Sequence, residues 1–345
     1  MSTPAALTSD LSTPRRLGHS TVRPVGLGCM NINHGFSSRF LSEQEGVDFV
    51  RSALDAGVDH LDTAALYGGG RNEEVVGQAL KGRRDQVFLA SKGALLPAGD
   101  PRRLDGSPQD LRRQLEDSLR RLKVETLDLY YLHRLDPQVP VEESAGAMAE
   151  FIAEGKIRAY GLSEVSGPTL ERAHAVHPVA AVQNEYSLWT RNPEWGLLRA
   201  CRRTGTTLVA FSPVARGFLA GAVTDPQALP EEDIRRSQPR FSAENFPLNL
   251  ALLDPLRAEA ERIGCTVAQL ALAWLLAQGT DVVAIPGTVS LKHLREDLDA
   301  EQVQLSAVDV ERVDAIVNHS TVRGHRYGPE ARKQADTEDT PPTHG

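Results

Sequence analysis

Cysteine is scarce: Cys29, Cys201 and Cys265 are the only three in 345 residues. No two are close in sequence, and no C-x-x-C or Cys/His ligand spacing exists. That argues against a disulfide framework and a zinc site, and makes a reducing cytoplasm the expected compartment. A membrane span is missing too. The longest uncharged run, IGCTVAQLALAWLLAQGT (263–280), contains Gly264, Gln269, Gln278 and Gly279. It falls short of the ~20 mostly apolar residues a span needs and reads as a buried helix around Trp274. The start, MSTPAALTSDLSTP, lacks the basic and apolar segments of a signal peptide. Basic residues do not cluster; RR pairs are scattered and the net charge is −8, which argues against a nucleic-acid partner. No Gly/Ser or Pro tract divides the chain. One domain over 14–328 is expected, between a mobile N-terminus (1–13) and a polar, disordered tail (329–345).

A short alternation fills that domain. Apolar, β-type runs occur at 22–29, 57–61, 86–91, 127–132, 157–163, 179–184, 206–212 and 281–286. Helical periods lie between them, at 42–57, 71–82, 107–124, 142–154, 168–176, 192–204, 266–278 and 290–298. In 107–124, Leu111, Leu115, Leu119 and Leu122 recur on one face behind Ser107-Pro108, a helix start. Eight strands alternating with helices predict an α/β fold, a (β/α)8 TIM barrel. The rival doubly wound sheet would want G-x-G-x-x-G after its first strand; G-L-G-C-M-N (26–31) has only the first two glycines. Two additions are expected: a small hairpin at 14–24, turning at Gly18–Ser20, and a long insertion at 213–247 after strand 7.

In such a barrel, chemistry gathers at the C-terminal ends of the strands. Strand 2 leads to Asp62 and then Tyr67, followed by three glycines; strand 3 ends in Ser91-Lys92 and strand 4 in His133. Strands 5 to 8 end in Ser163-Glu164, Gln183-Asn184, Phe211-Ser212 and Pro286-Gly287-Thr288. A phenol ordinarily titrates near ~10 and is a poor neutral-pH acid. An adjacent ammonium lowers that value. Lys92 would be the ammonium, Asp62 its anchor, and His133 a hydrogen-bond donor to a substrate carbonyl. Such a set protonates an oxyanion as it forms and contains no nucleophile, which suits carbonyl reduction by a bound hydride donor. A metal-dependent hydrolase or isomerase would need clustered ligands. Only His133 and Asp62 qualify, with Lys92 between them, so no metal is expected.

The stretches LDTAALYGGGRNEEVVGQAL, FLASKG, DLYYLHRLD, GLSEVS, VQNEYSLW, VAFSPVARGFLAG and AIPGTVSLKHLREDL resemble the aldo-keto reductase superfamily over residues 15–328. LGLGCMNINHGF and SPVARGFLAG resemble its bacterial aldehyde and ketone reductase branch, near pyridoxal reductases and potassium-channel β-subunits. The resemblance implies NADPH-dependent reduction of aldehydes or ketones to alcohols, reversible, with a small-molecule carbonyl substrate. Asp62, Tyr67, Lys92 and His133 match its catalytic residues. Ser163 and Gln183 match its carboxamide ligands and Phe211 its nicotinamide-stacking aromatic; Ser212, Val214, Arg216, Gly217 and Leu219 match its pyrophosphate loop. Gly287, Thr288, Lys292 and His293 fall in its adenosine-phosphate segment, Glu296 and Asp297 near the adenine, and Gly28, Cys29, Met30 and Asp62 line the cofactor side. Met30, His34, Phe36, Tyr67, His133 and Trp189 are the expected substrate contacts, with HGFSSRF (34–40) as a gate. The alternative the resemblance offers is a regulatory subunit that senses NADP(H).

Two departures stand out. Glu164 replaces an expected Asn, so one donor toward the carboxamide is lost. Val289, Ser290 and His293 stand where arginines are expected, so discrimination against NADH should be weaker.

Overall fold

The ring of strands is built from short segments, buried except at Gly28 and Phe211. The computed structural model describes residues 10–36, 40–96, 103–231 and 233–340. Its central strands are β1 (Leu27–Gly28), β2 (His60–Asp62), β3 (Phe88–Gly93), β4 (Leu129–Leu132), β5 (Tyr160–Ser163), β6 (Ala181–Glu185), β7 (Thr207–Phe211) and β8 (Val282–Ile285). Neighbours in sequence are parallel neighbours in the sheet. The ring closes between β1 and β8. Ala284 N–H donates to the Pro24 carbonyl and Gly26 N–H to the Ala284 carbonyl, each at 2.9 Å. This is the expected (β/α)8 barrel, and closure leaves no sheet edge to cover.

Strand alternation sends every second residue to the axis. Phe88, Ala90, Leu129, Tyr131, Ala159, Ala181, Val209, Val283 and Ile285 form the apolar filling. Continuing the alternation by one step delivers Asp62, Lys92, His133, Ser163 and Gln183 to the C-terminal rim. Lys92 pairs in register with Tyr131, and Ser163 with Gln183. The other end is sealed by the expected hairpin, Arg15–Leu17 paired with Ser20–Val22. Leu17 and Val22 pack into the axial filling. The Arg15 guanidinium donates to the carbonyls of Gly279 at 2.5 Å and Leu276 at 3.0 Å.

The outer layer comprises α1 (Glu43–Asp55), α2 (Arg71–Ala79), α3 (Pro108–Leu122), α4 (Val141–Ala153), α5 (Gly167–Val176), α6 (Leu197–Thr204), α7 (Phe246–Leu250), α8 (Leu253–Ile263), α9 (Val267–Leu276), α10 (Leu291–Asp299), α11 (Ala307–Ile316) and α12 (Pro329–Arg332). In α3, Leu111, Leu115 and Leu122 are fully buried, and the helix stops where Lys123 turns left-handed at φ 57°. A reciprocal cap between Ser42 and Glu45 opens α1. Trp274 is a core residue of α9, its indole N–H donating to Asp314 at 3.0 Å.

Several expectations need correction. The period at 192–204 holds a 3-10 turn, Asn192–Trp195, before α6 begins. The segment after β7 is a succession of 3-10 turns and α7, and two further helices, α8 and α11, pack together beyond it. The tail expected to be disordered from 329 is instead docked through residue 340. Asp336 accepts from Ser166 Oγ at 3.0 Å and Thr169 Oγ1 at 2.6 Å, and Asn192 Nδ2 donates to the Glu338 carbonyl at 2.5 Å. Polar capping of the α5 start holds this segment, which an apolar pattern cannot reveal. At the other end Leu11 is buried, while residues 1–9 and 341–345 lie outside the described residues. So do Ser37, Ser38 and Arg39 of the expected gate.

Candidate active site

Asp62 comes from the end of β2, Lys92 from β3 and His133 follows β4. Tyr67 hangs over them from a turn that then runs through Gly68, Gly69 and Gly70, at φ 56°, 67° and 94°. That left-handed path is cheap only for glycine, which is why the tyrosine is followed by three of them. The turn then feeds straight into α2.

Lys92 is completely buried and makes three contacts. Its ammonium forms an ion pair with Asp62 Oδ1 and donates to the Thr63 carbonyl at 2.9 Å and to Tyr67 Oη at 3.3 Å. The second Asp62 oxygen accepts from Gln183 Nε2 at 2.8 Å. The Tyr67 ring is edge-on to His133 at 6.0 Å and stacked on His34 at 5.6 Å. Met30 packs against the small cluster of Ala64, Leu66, Tyr67 and Leu95. The structure therefore brings Asp62, Tyr67, Lys92, His133, Gln183, His34 and Met30 to one place.

The electrostatic balance differs from the expectation of an acidified phenol. Burial dominates at Tyr67 and pushes it above the ordinary phenol value; Lys92 opposes the shift and Asp62 adds to it. Burial also pulls on Lys92, but Asp62 and Tyr67 overcome it and hold the ammonium above its usual value. The ammonium's field is largely spent on the carboxylate that anchors it. Cys29 is buried, and its thiol is driven up to about 12, so it is inert.

The remaining expected residues fall into two groups. The first could hold a dinucleotide along the rim. Phe211 presents a half-buried ring at the end of β7. Beyond it, Ser212, Ala215 and Arg216 take left-handed backbone at φ 51°, 51° and 58°. Successive turns of that hand aim backbone N–H groups into an anion-binding concavity, so the loop fits a pyrophosphate. Gly28 is half-buried at the end of β1, Gly287 is exposed and Thr288 and Val214 half-buried. Ser290 caps α10 by accepting from His293 N at 3.4 Å, and Lys292 and His293 are exposed in its first turn. Glu296 is half-buried, and burial lifts the Asp297 carboxyl to about 8, with Glu296 adding to the shift.

The second group is committed elsewhere. Leu219 is buried in the core, and its N–H donates to Val214. Arg216 pairs with buried Glu185 at 2.5 Å, so its guanidinium is engaged within the protein. Phe36 lies 6.0 Å from Arg216 and 5.4 Å from Arg235, bridging the β1 and β7 loops. Trp189 does not line the mouth as expected. It is 3 % exposed and stacked on Phe218 at 4.1 Å.

Glu164 answers its own departure. It is buried, left-handed at φ 57°, and ion-paired with Arg326 at 2.7 Å, so it braces the C-terminal segment. Sequence reasoning missed Arg326, and also Arg134. The latter's Nη1 donates to Ser163 Oγ at 3.2 Å, which places a cation beside the expected carboxamide ligand. Its position directly after His133 was the available signal.

Comparison with known proteins agrees with this geometry. The family model described as "Aldo/keto reductase family" matches residues 24–318. An aldo-keto reductase of Schizosaccharomyces pombe named for NADP(+) is 40 % identical over 335 residues, covering 95 % of this chain and 98 % of its own. A probable aldo-keto reductase of Glycine max is 40 % identical over 308 residues, covering 89 % and 88 %. Among solved structures, a glycerol dehydrogenase from Gluconobacter oxydans superposes with a TM-score of 0.81 at 29 % identity, over 97 % of this chain and 99 % of its own. An aldo/keto reductase from Klebsiella pneumoniae, solved with NADP and acetate, gives 0.70 at 29 % identity over 92 % and 99 %. With its barrel, its buried lysine–aspartate pair and these likenesses along nearly its whole length, the chain belongs to the aldo/keto reductase family.

Proposed function

We propose that the protein reduces aldehydes or ketones to alcohols with NADPH, reversibly, with Tyr67 as the general acid. The observation that carries the reading is the 3.3 Å contact between Tyr67 Oη and the Lys92 ammonium, itself anchored by Asp62. Bound NADPH would supply the hydride. The chain's own residues do the rest. Tyr67 and His133 present donors to the carbonyl oxygen; as negative charge develops there, the Tyr67 proton moves onto it, and the Lys92 ammonium steadies the phenolate left behind. The rim loop from Ser212 to Gly217 and the start of α10 would hold the phosphates, with Phe211 against the nicotinamide and Ser163 and Gln183 at its carboxamide. Gln183 donates one N–H to Asp62, so its carbonyl oxygen is the atom left to receive the carboxamide.

The complete set of four supports an enzyme over an NADP(H)-sensing subunit. We read its motifs as those of the aldehyde and ketone reductase branch. Tyr67→Phe keeps the ring and removes the proton, so turnover on a panel of carbonyls should fall by about 10²–10⁴-fold with the affinity for NADPH retained. Full activity in that variant would end the assignment. Because Val289, Ser290 and His293 stand where arginines are expected, NADH should also be used, with a higher KM than NADPH; steady-state kinetics with both cofactors decide this.

A further inference from the structure

Behind the rim, three buried guanidinium groups meet two buried carboxylates. Glu185 pairs with Arg216 at 2.5 Å and lies 3.5 Å from Arg326; Glu164 pairs with Arg326 at 2.7 Å. Arg240 has no carboxylate within ion-pair distance among the described residues. Its Nη1 donates to Thr190 Oγ1 at 2.7 Å, and its Nε to the Gly324 carbonyl at 3.2 Å. Thr190 passes the contact on by donating to Glu185 at 2.8 Å. Arg240 is nevertheless only 9 % exposed, with its guanidinium over the Trp189 ring at 5.2 Å. Burial brings Arg240 down to about 10; attraction to Glu185 opposes the shift, and Arg326 and Arg216 add to it. A buried cation with no carboxylate in direct contact is costly, and neutral acceptors and a cation–π contact offset only part of that.

A cavity of about 130 Å³ adjoins this cation, walled by Trp189, Asn192, Arg240, His325, Arg326 and Asp339 among others. None of Asp62, Tyr67, Lys92 or His133 lines it. Two of its walls hold buried donors without an acceptor among the described residues: the Trp189 indole N–H and the Arg326 Nε, both in residues only 3 % exposed. The Asp339 carboxylate in the wall is already held by His325 at 3.2 Å and Arg332 at 2.7 Å. A surplus positive charge, two unsatisfied N–H donors and room for more than one water describe the complement of a small anion.

We propose that this cavity, between the β6–α6 loop and the docked C-terminal segment, binds a small oxyanion through Arg240, Arg326 and the Trp189 N–H. The anion is either free, as phosphate or sulfate, or the carboxylate end of a substrate. Trp189, expected as a wall for the carbonyl, thus becomes a donor in a different place.

Calorimetric titration of the full chain, its cofactor groove first saturated with NADPH, with sulfate, phosphate and acetate tests the site directly and needs no turnover. One saturable site is expected, weakened about tenfold in Trp189→Phe, which keeps an aromatic ring but removes the N–H, and abolished in Arg240→Met. Arg240→Lys, which keeps the charge, should recover part of the affinity and guards against misfolding of the methionine variant. Where the anion competes with the carbonyl in kinetics, the source is a substrate carboxylate; where it does not, a free oxyanion. Either pattern supports the site. Absence of saturable binding, or equal affinity in wild type and Trp189→Phe, overturns it, whatever Tyr67→Phe does to turnover.

Discussion

Tyr67 illustrates how one buried side chain is set by several neighbours at once. Burial raises its proton affinity, Lys92 at 3.3 Å lowers it, and burial wins. A phenol held neutral suits the donor in reduction and hinders the acceptor needed for alcohol oxidation. The pH dependence should therefore be asymmetric. Reduction should stay flat through the ordinary phenol range near 10, because the required O–H form persists beyond it. Oxidation should climb steadily toward that pH as the phenolate becomes accessible. Rate profiles measured in both directions check this; a reductive rate already falling near neutral pH would show instead that Lys92 controls the phenol.

The helices show what close packing demands of sequence. At Gly77 in α2, an added Cβ would lie 2.5 Å from the Leu122 carbonyl oxygen at the end of α3. Backbone cannot swing aside as a side chain can, so Gly77→Ala should cost about 1–3 kcal/mol, seen as a lower urea midpoint with the slope unchanged. Such contacts also explain what was legible beforehand. Barrel strands and helices such as α3 announced themselves because a buried face imposes a period, and Asp62, Lys92 and His133 followed because period two runs on past the apolar residues. In α11 only Val313 is buried and Val308 is 44 % exposed, so there is no face to read. The 3-10 turns after β7 have no helical period, and the docked tail is held by Asp336 and Glu338 rather than by apolar burial. The Glu164–Arg326 pair joins segments from distant parts of the chain, and neither residue marks the other in sequence.

For the molecule as a whole, the axial filling carries one acid-sensitive group. His60 lies fully buried in β2, with both ring nitrogens lacking a hydrogen bond among the described residues. Burial lowers it from 6.5 to about 4. Between those values the unfolded chain binds the proton and the folded one does not, so stability falls as pH drops through that window. The loss should total about 3 kcal/mol, absent above the window. Denaturation midpoints at stepped pH would show it, with the His60 share of the slope gone in His60→Asn. The plugged base of the barrel has its own consequence. With Leu17 and Val22 stoppering the axis and Arg15 riveted to the turn before β8, the hairpin occupies the end of the barrel opposite Tyr67 and Lys92. A support that grips the hairpin face would therefore leave that pair turned toward the surrounding liquid.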